Sequence, residues 1–288
     1  MSESKELPEH IYDGMLMHGI FPASSLDGIK NTQFHDDDII ISTYPKCGTT
    51  WMQEILYLIY SGGDMATSDT VPLDKRHRFI EMHVPPKKSD LSVYQSNPSP
   101  QLIKSHLGSS FFEKTLKSAK TKFVIVVRNP KDAVVSYYHF YKLVKSEFNA
   151  TWDEYFELFK SKQVSHGDVF DAQLSWWKLR DNPNILILKY EDMLKSPEGA
   201  VRQVATHIGK DISDDLVGKI VERTSFKSMK KNPMLNKANI QPKNKGAEPF
   251  MRKGISGDWK NYFNEEQTKY VDQLSDKLFK PVGLFFED

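Results

Sequence analysis

The sequence predicts an α/β domain in which parallel strands alternate with helices. Two observations lead there. Four short, mostly apolar runs punctuate the chain, too continuous for a sheet with one wet face. Helical patterns follow them, bringing apolar side chains back to one face at helical spacing. With 288 residues, 39% apolar and 27% charged, one domain can bury its core without disulfides or structural metals.

The first run is Asp38–Thr43, and the segment after it, Thr49–Tyr60, sets Met52, Ile55, Leu56 and Ile59 on one helical face. Polar stretches at Ser61–Thr70 and Pro85–Pro100 read as breaks. The second run is Gln101–Ser105. The third, Lys122–Val127, leads into a predicted helix over Lys131–Lys145 carrying Val134, Tyr137, Tyr138 and Tyr141. The fourth is Asn184–Lys189. Asn232–Glu248 is rich in Lys, Asn and Pro with little apolar periodicity, which predicts a mobile loop, placed to serve as a lid.

Lys plus Arg number 39 against 38 Asp plus Glu, so no overall field draws the chain to nucleic acid or membrane. Any anion site must be built locally. Cys47 is the only cysteine, which rules out an intramolecular disulfide and points to a reducing compartment. The first ten residues lack the apolar stretch of a signal peptide, and no apolar run could span a bilayer. A cytoplasmic location is expected, and the sequon at Asn149-Ala150-Thr151 is then a chance match.

The richest local signal is Thr43-Tyr44-Pro45-Lys46-Cys47-Gly48-Thr49-Thr50-Trp51. It leaves a buried strand, turns through Pro45 and Gly48, and enters a helix. The unpaired N–H groups and partial positive charge of a helix N-terminus favour an anion. Lys46 adds a full charge and the threonines add donors. A plain strand-to-helix turn with Thr49 as N-cap is the simpler alternative; Lys46 and Trp51 weigh against it. The lysine precedes the glycine, so this P-loop-like segment is not a Walker A motif. A P-loop nucleoside or small-molecule kinase is the alternative function. It would need a carboxylate for magnesium, and only Glu191-Asp192 after the fourth run could serve.

Six motifs, in order, resemble those of the cytosolic sulfotransferases. They are the TYPKCGTTW loop, KSH at Lys104–His106, VVRNPKDAVVSYYHFY at Val126–Tyr141, YEDM at Tyr190–Met193, TSFKSMKKNPM at Thr224–Met234 and FMRKGISGDWK at Phe250–Lys260. The resemblance runs from about Phe21 to Lys260. It implies a single domain around a five-stranded parallel sheet flanked by helices. It also implies 3′-phosphoadenosine 5′-phosphosulfate (PAPS) as donor, adenosine 3′,5′-bisphosphate (PAP) as product, no metal, and a small-molecule acceptor.

The same resemblance assigns roles. His106 matches the general base, and histidine suits proton transfer near neutral pH. Lys46 and Lys104 match the cations that stabilise the leaving phosphate. Cys47, Gly48, Thr49 and Thr50 belong to the donor loop. Arg128 and Ser136 match contacts to the 3′-phosphate, with Arg252, Lys253 and Gly254; a guanidinium can grip phosphate at two points. Trp51 and Phe226 match the residues flanking adenine, and Tyr190 and Thr224 its polar neighbours. Ser225, Met229, Phe250 and Met251 lie in the same motifs. Lys104, Ser105 and His106, with Phe21, Phe79, Met82, Phe140 and Phe170, fall where the family lines its acceptor pocket.

Three departures carry expectations of their own. Cys47, beside Lys46 and a helix N-terminus, is a candidate low-pKa thiol, although an inert residue chosen for fit explains it equally well. Lys237 stands in the lid where several relatives place an aromatic residue. After GDWK, Lys260 is kept but Asn264, Glu265 and Lys269 replace the family's dimer residues, which predicts a monomer or an atypical, weak homodimer.

Overall fold

The computed structural model describes residues 7–146, 148–237 and 240–287. A short antiparallel hairpin, β1 (His10–Tyr12) and β2 (Met15–Met17), precedes the main sheet. That sheet contains β3 (Ile39–Ser42), β4 (Arg78–Phe79), β5 (Leu102–Ser105), β6 (Lys122–Val127) and β7 (Ile185–Lys189). The order is β4-β5-β3-β6-β7, all parallel. The predicted fold class holds.

β3 is buried along its whole length because helices cover both faces of the sheet. One face packs on α1 (Thr49–Tyr60) and on α2 (Pro197–His207) and α3 (Asp214–Arg223), through Met52, Ile55, Val201 and Ile220. The other carries helices Pro130–Val144, Trp152–Lys160, Val169–Trp177 and Glu265–Leu278, joined through Tyr137, Phe156, Leu174 and Val271. β3 pairs with β5 on one side and β6 on the other; the chain runs from β3 out to β4, back to β5, and then across β3 to β6. The order in which strands are added therefore reverses beside β3, and a crevice opens at its carboxyl end.

Several boundaries move for local reasons. β4 is absent from the apolar runs because it is two half-buried residues, paired as Arg78↔Ile103 and Phe79↔Lys104. Asp38 lies outside β3: its buried carboxylate accepts from the Tyr94 hydroxyl at 2.7 Å and from Gln101 N–H at 2.8 Å. Both early polar breaks contain short capped helices, Met65–Thr70 and Asp90–Gln95. The Asp64 carboxylate accepts from Thr67 N–H in the first, and the Ser89 hydroxyl from Ser92 N–H in the second. One to two turns are too few for periodicity to register.

The segment 232–248 has no helix or strand among its described residues, but it is better tied down than its composition suggests. Leu235 is fully buried against Leu73 and Met229, and Asn244 Nδ2 donates to the carbonyls of Lys142 and Lys145. Asn264, in the altered dimer segment, caps the helix Glu265–Leu278 in a reciprocal pair with Gln267, while Lys260, Glu265 and Lys269 are exposed. Among the described residues no helix is long and apolar enough to cross a membrane.

Candidate active site

A cavity of about 440 Å³ opens where β3, β5 and β6 end. The loop after β3 forms its floor. Lys46 at φ 69° and Gly48 at φ 99° fold the chain back, and a left-handed backbone at Gly48 is cheap only without a Cβ. A Cβ there would also stand 2.9 Å from the Tyr190 ring. The turn places Thr49, Thr50 and Trp51, the start of α1, in the cavity lining. Thr49 and Thr43 share a hydroxyl hydrogen bond at 2.5 Å that ties the helix start to the strand end.

Arg128, at the end of β6, braces this loop. Its Nη1 donates to the Lys46 carbonyl and its Nη2 to the Ile255 carbonyl, both at 2.9 Å, while the guanidinium stacks 4.2 Å from the Tyr190 ring centre. The Ile255 segment is pinned in turn by Asp132, whose carboxylate accepts from Gly257 N–H at 2.7 Å and Trp259 N–H at 3.1 Å. Gly254 sits against Phe226: a Cβ would fall 2.2 Å from that ring. Trp51, edge-on to Tyr190 at 5.7 Å, completes a flat-walled slot with Phe226 and Thr224 in the cavity lining.

His106 follows β5. Its Nδ1 lies 2.8 Å from the Thr43 carbonyl, so the proton belongs on Nδ1. Nε2 then keeps its lone pair in a residue that lines the cavity. Burial first, then the Lys104 and His166 charges, hold the imidazole well below the usual histidine range. Beneath it the buried Glu81 accepts from His106 N–H at 2.6 Å. Burial pushes the Glu81 carboxyl up to about 7, against the lowering effect of the His106 bond and the Lys104 charge.

Charge is the decisive feature. Lys46, Lys104, Arg128, Lys237, Arg252 and Lys253 all line the cavity. Among the described residues the one carboxylate in the lining is Glu9, already paired with Lys145 at 2.9 Å. Arg252 and Lys253 share Asp258, each at 2.6 Å. Burial, followed by the charges of Arg128, Lys237 and Arg252, lowers the Lys46 ammonium to about 7. So many cations converging on few carboxylates favour an anionic ligand.

The sulfotransferase domain model matches residues 36–283. This chain belongs to the sulfotransferase family. It is 41% identical to sulfotransferase 1C2 of Rattus norvegicus over 262 residues, covering 90% of this chain and 88% of that one. It is 39% identical to sulfotransferase 1A1 of Canis lupus familiaris over 267 residues, covering 92% and 90%. A mouse sulfotransferase solved with PAP superposes with a TM-score of 0.77 at 28% identity, covering 93% of each chain. Retinol dehydratase, solved with androsterone and PAP, shares the fold at a TM-score of 0.88 and 22% identity, covering 97% of this chain and 92% of that one. The chain is a PAPS-dependent sulfotransferase. The kinase alternative finds no support in these relatives, and Glu191 already accepts from Asn129 N–H at 3.0 Å.

The site fits this sulfotransferase's donor: a surplus of cations for two anionic groups, a glycine whose Cβ the cradle has no room for, and flat walls beside them. Most of the residues predicted for donor and acceptor line one cavity: Lys46, Gly48, Thr49, Thr50, Trp51, Lys104, His106, Arg128, Ser136, Tyr190, Thr224, Phe226, Met229, Phe250, Met251 and Arg252–Gly254 among them, with Phe21, Phe79 and Phe140. Five lie outside it. The Ser225 hydroxyl caps the helix Phe226–Lys231. Ser105 is fully buried behind the wall, where its hydroxyl accepts from Leu107 N–H. Met82 packs on the core, and Phe170 is buried against Phe279, 4.9 Å between ring centres.

Cys47, the fifth, bears out the inert reading of the two left open for it. Its side chain is fully buried in the core beneath the loop, and burial pushes the thiol up to about 12, outweighing the Arg128 charge. A thiol so placed is an inert space-filler rather than a reactive thiolate.

Sequence reasoning missed Glu81, Asp132 and His166. His166 sits at φ 67°, its ring edge-on to His106 at 5.4 Å and to Phe21 at 4.8 Å. The Tyr137 hydroxyl lies 3.2 Å from its Nδ1, and its Nε2 is buried without a hydrogen-bond partner. Asp132 stands inside the motif at Val126–Tyr141 without a role assigned to it, whereas Glu81 and His166 stand in no pattern that a single sequence exposes.

Proposed function

We propose that this enzyme sulfates the hydroxyl of a small, largely apolar acceptor, with His106 as general base. The observation that carries this reading is the Nδ1 contact to the Thr43 carbonyl, which leaves the Nε2 lone pair to accept a proton in a residue of the cavity wall. PAPS, when bound, supplies the sulfuryl group and an anionic phosphate leaving group. Lys46 and Lys104 meet the charge that accumulates there. Arg128, Ser136 and the Arg252–Gly254 turn bind the 3′-phosphate, Asp258 releasing or sharing its cations. Trp51 and Phe226 flank the adenine. Phe21, Phe79 and Phe140 hold the body of the acceptor, and His106 Nε2 takes its proton as the new S–O bond forms. Segment 232–248 acts as a lid over a single domain, and the protein works in the cytoplasm.

The donor assignment predicts a selective loss. Arg128→Ala and Arg252→Ala should each weaken PAP binding about tenfold or more, the worth of a charged hydrogen bond, and weaken AMP binding much less. Calorimetric titration of both ligands decides it; equal losses would place these arginines elsewhere. Sulfation of a panel of phenols, steroids, amines and alcohols tests the acceptor class.

We propose a monomer, or a dimer through a surface other than the family's. Exposed Glu265 and Lys269 are unsuited to a small apolar contact. Sedimentation at micromolar concentration should find no dimer that Lys260→Glu dissociates; such a dimer would overturn the reading.

A further inference from the structure

The charges in the cavity do not balance, and the imbalance has an address. Arg128 is bound to two carbonyls, Arg252 and Lys253 share Asp258, and Lys104 has the Glu81 carboxylate as its electrostatic counterpart. Lys46 belongs to the phosphate loop. Lys237 has no such explanation. Among the described residues, Asp74 is the carboxylate whose charge acts on its ammonium, and no ion pair joins the two. Burial lowers its affinity for the proton it must hold to stay charged.

The fold nevertheless presents this side chain to the cavity. The Met234 carbonyl accepts from Leu73 N–H at 3.1 Å, and Leu235 is fully buried. Lys237 follows two residues beyond that fixed point, turned by a backbone φ of 52°. Its ammonium comes to 5.6 Å from the Phe250 ring centre, and its charge acts on Lys46, Lys104 and His106. A lysine buried in the cavity with the Phe250 ring beside it carries a desolvation cost that a neutral phenol would leave uncompensated.

We infer that Lys237 selects acceptors bearing an acidic group, a carboxylate carried on the same small molecule as the sulfated hydroxyl. The inference rests on the proposed placement of the acceptor beside Phe79, Phe140 and His106. It adds the chemical class: a hydroxy acid or carboxylated phenol rather than a neutral one. The carboxylate restores the charge balance around Lys237, and the hydroxyl is left for His106.

The test compares 3-(4-hydroxyphenyl)propionate with its neutral methyl amide. Each is titrated calorimetrically into the PAP-bound protein, and each is then assayed with PAPS. Wild type should bind the carboxylate about tenfold or more tightly than the amide, in line with a charge-assisted contact. Lys237→Gln should bring the ratio close to unity, and Lys237→Arg should restore much of it. A ratio near unity in wild type, or one unchanged in Lys237→Gln, overturns the inference. So does a Lys237→Gln loss in PAP or PAPS affinity equal to the loss in carboxylate affinity, since Lys237 would then serve the donor. Turnover by wild type reports separately on the proposed phenol-sulfating function: sulfation of either phenol supports it, and sulfation of neither would count against it whatever the binding ratio.

Discussion

Replacing His106 by alanine should lower turnover by about 10²- to 10⁴-fold, the usual worth of a general base, with PAP affinity nearly intact. The separation follows from the architecture. His106 sits after β5, on the side proposed for the acceptor, while the loop proposed for the donor follows β3. Its one direct tie to the loop strand is the Nδ1 contact to the Thr43 carbonyl. His106→Gln can still donate to that carbonyl but cannot take a proton at neutral pH, so it should lose as much turnover as alanine while better preserving the local structure. Rate against pH gives a second readout. The folded-state pKa of His106 is depressed, so the base stays neutral through the usual histidine range. In free wild type, loss of kcat/KM from protonation of His106 should begin only at pH values below that range. A residual variant rate with the same acid limb, or full turnover in His106→Ala with a phenolic or alcoholic acceptor, would remove His106 from the role. Circular dichroism melting of each variant separates lost chemistry from lost packing against Phe79, 5.2 Å away.

The parts of this site that the sequence makes legible are those whose function fixes a run of neighbouring residues. The phosphate loop needs a strand, a turn and a helix start in succession, so Thr43 to Trp51 stand together and can be read as one unit. Arg128 ends an apolar run for the same reason. The acceptor side is assembled differently. Glu81 follows a two-residue strand and reaches His106 across 25 positions in sequence, and His166 stands against Phe21 and His106 through tertiary packing alone. No periodicity ties such residues together, and an isolated Glu or His is more often structural. Cys47 illustrates the converse. Its neighbours in sequence suggest an activated thiol, but the turn that aims Lys46 outward turns the next side chain inward, and burial dominates. Adjacent positions in a loop share a location without sharing an environment.

Donor affinity should fall steeply as pH rises above neutrality, and Lys46 should be the principal cause. Burial, helped by the charges of Arg128, Lys237 and Arg252, lowers its pKa to about 7 in the free protein. A bound phosphate favours the ammonium, so the bound-state pKa is higher than the free one. Below about pH 7 the lysine is already charged and binding takes up no proton. Above it, binding must draw a proton from solvent, and affinity falls until pH reaches the bound-state value. One such group raises the PAP dissociation constant roughly tenfold between pH 7 and 8.5. The ligand adds little slope of its own, because the second phosphate pKa, about 6, lies below this window. Calorimetry in buffers of different ionisation enthalpy counts the protons directly and should find uptake approaching one per PAP near pH 8. Lys104 and Lys237 are also depressed by burial and can add to the slope, so the decisive comparison is Lys46→Arg. A guanidinium stays charged across the whole range. The variant should therefore bind PAP with a markedly flatter pH profile, even where its fit to the loop is poorer. A wild-type profile that is flat from pH 7 to 9, or one that Lys46→Arg leaves unchanged, would mean that Lys46 keeps its proton in the free enzyme and that the cavity's charge is relieved elsewhere.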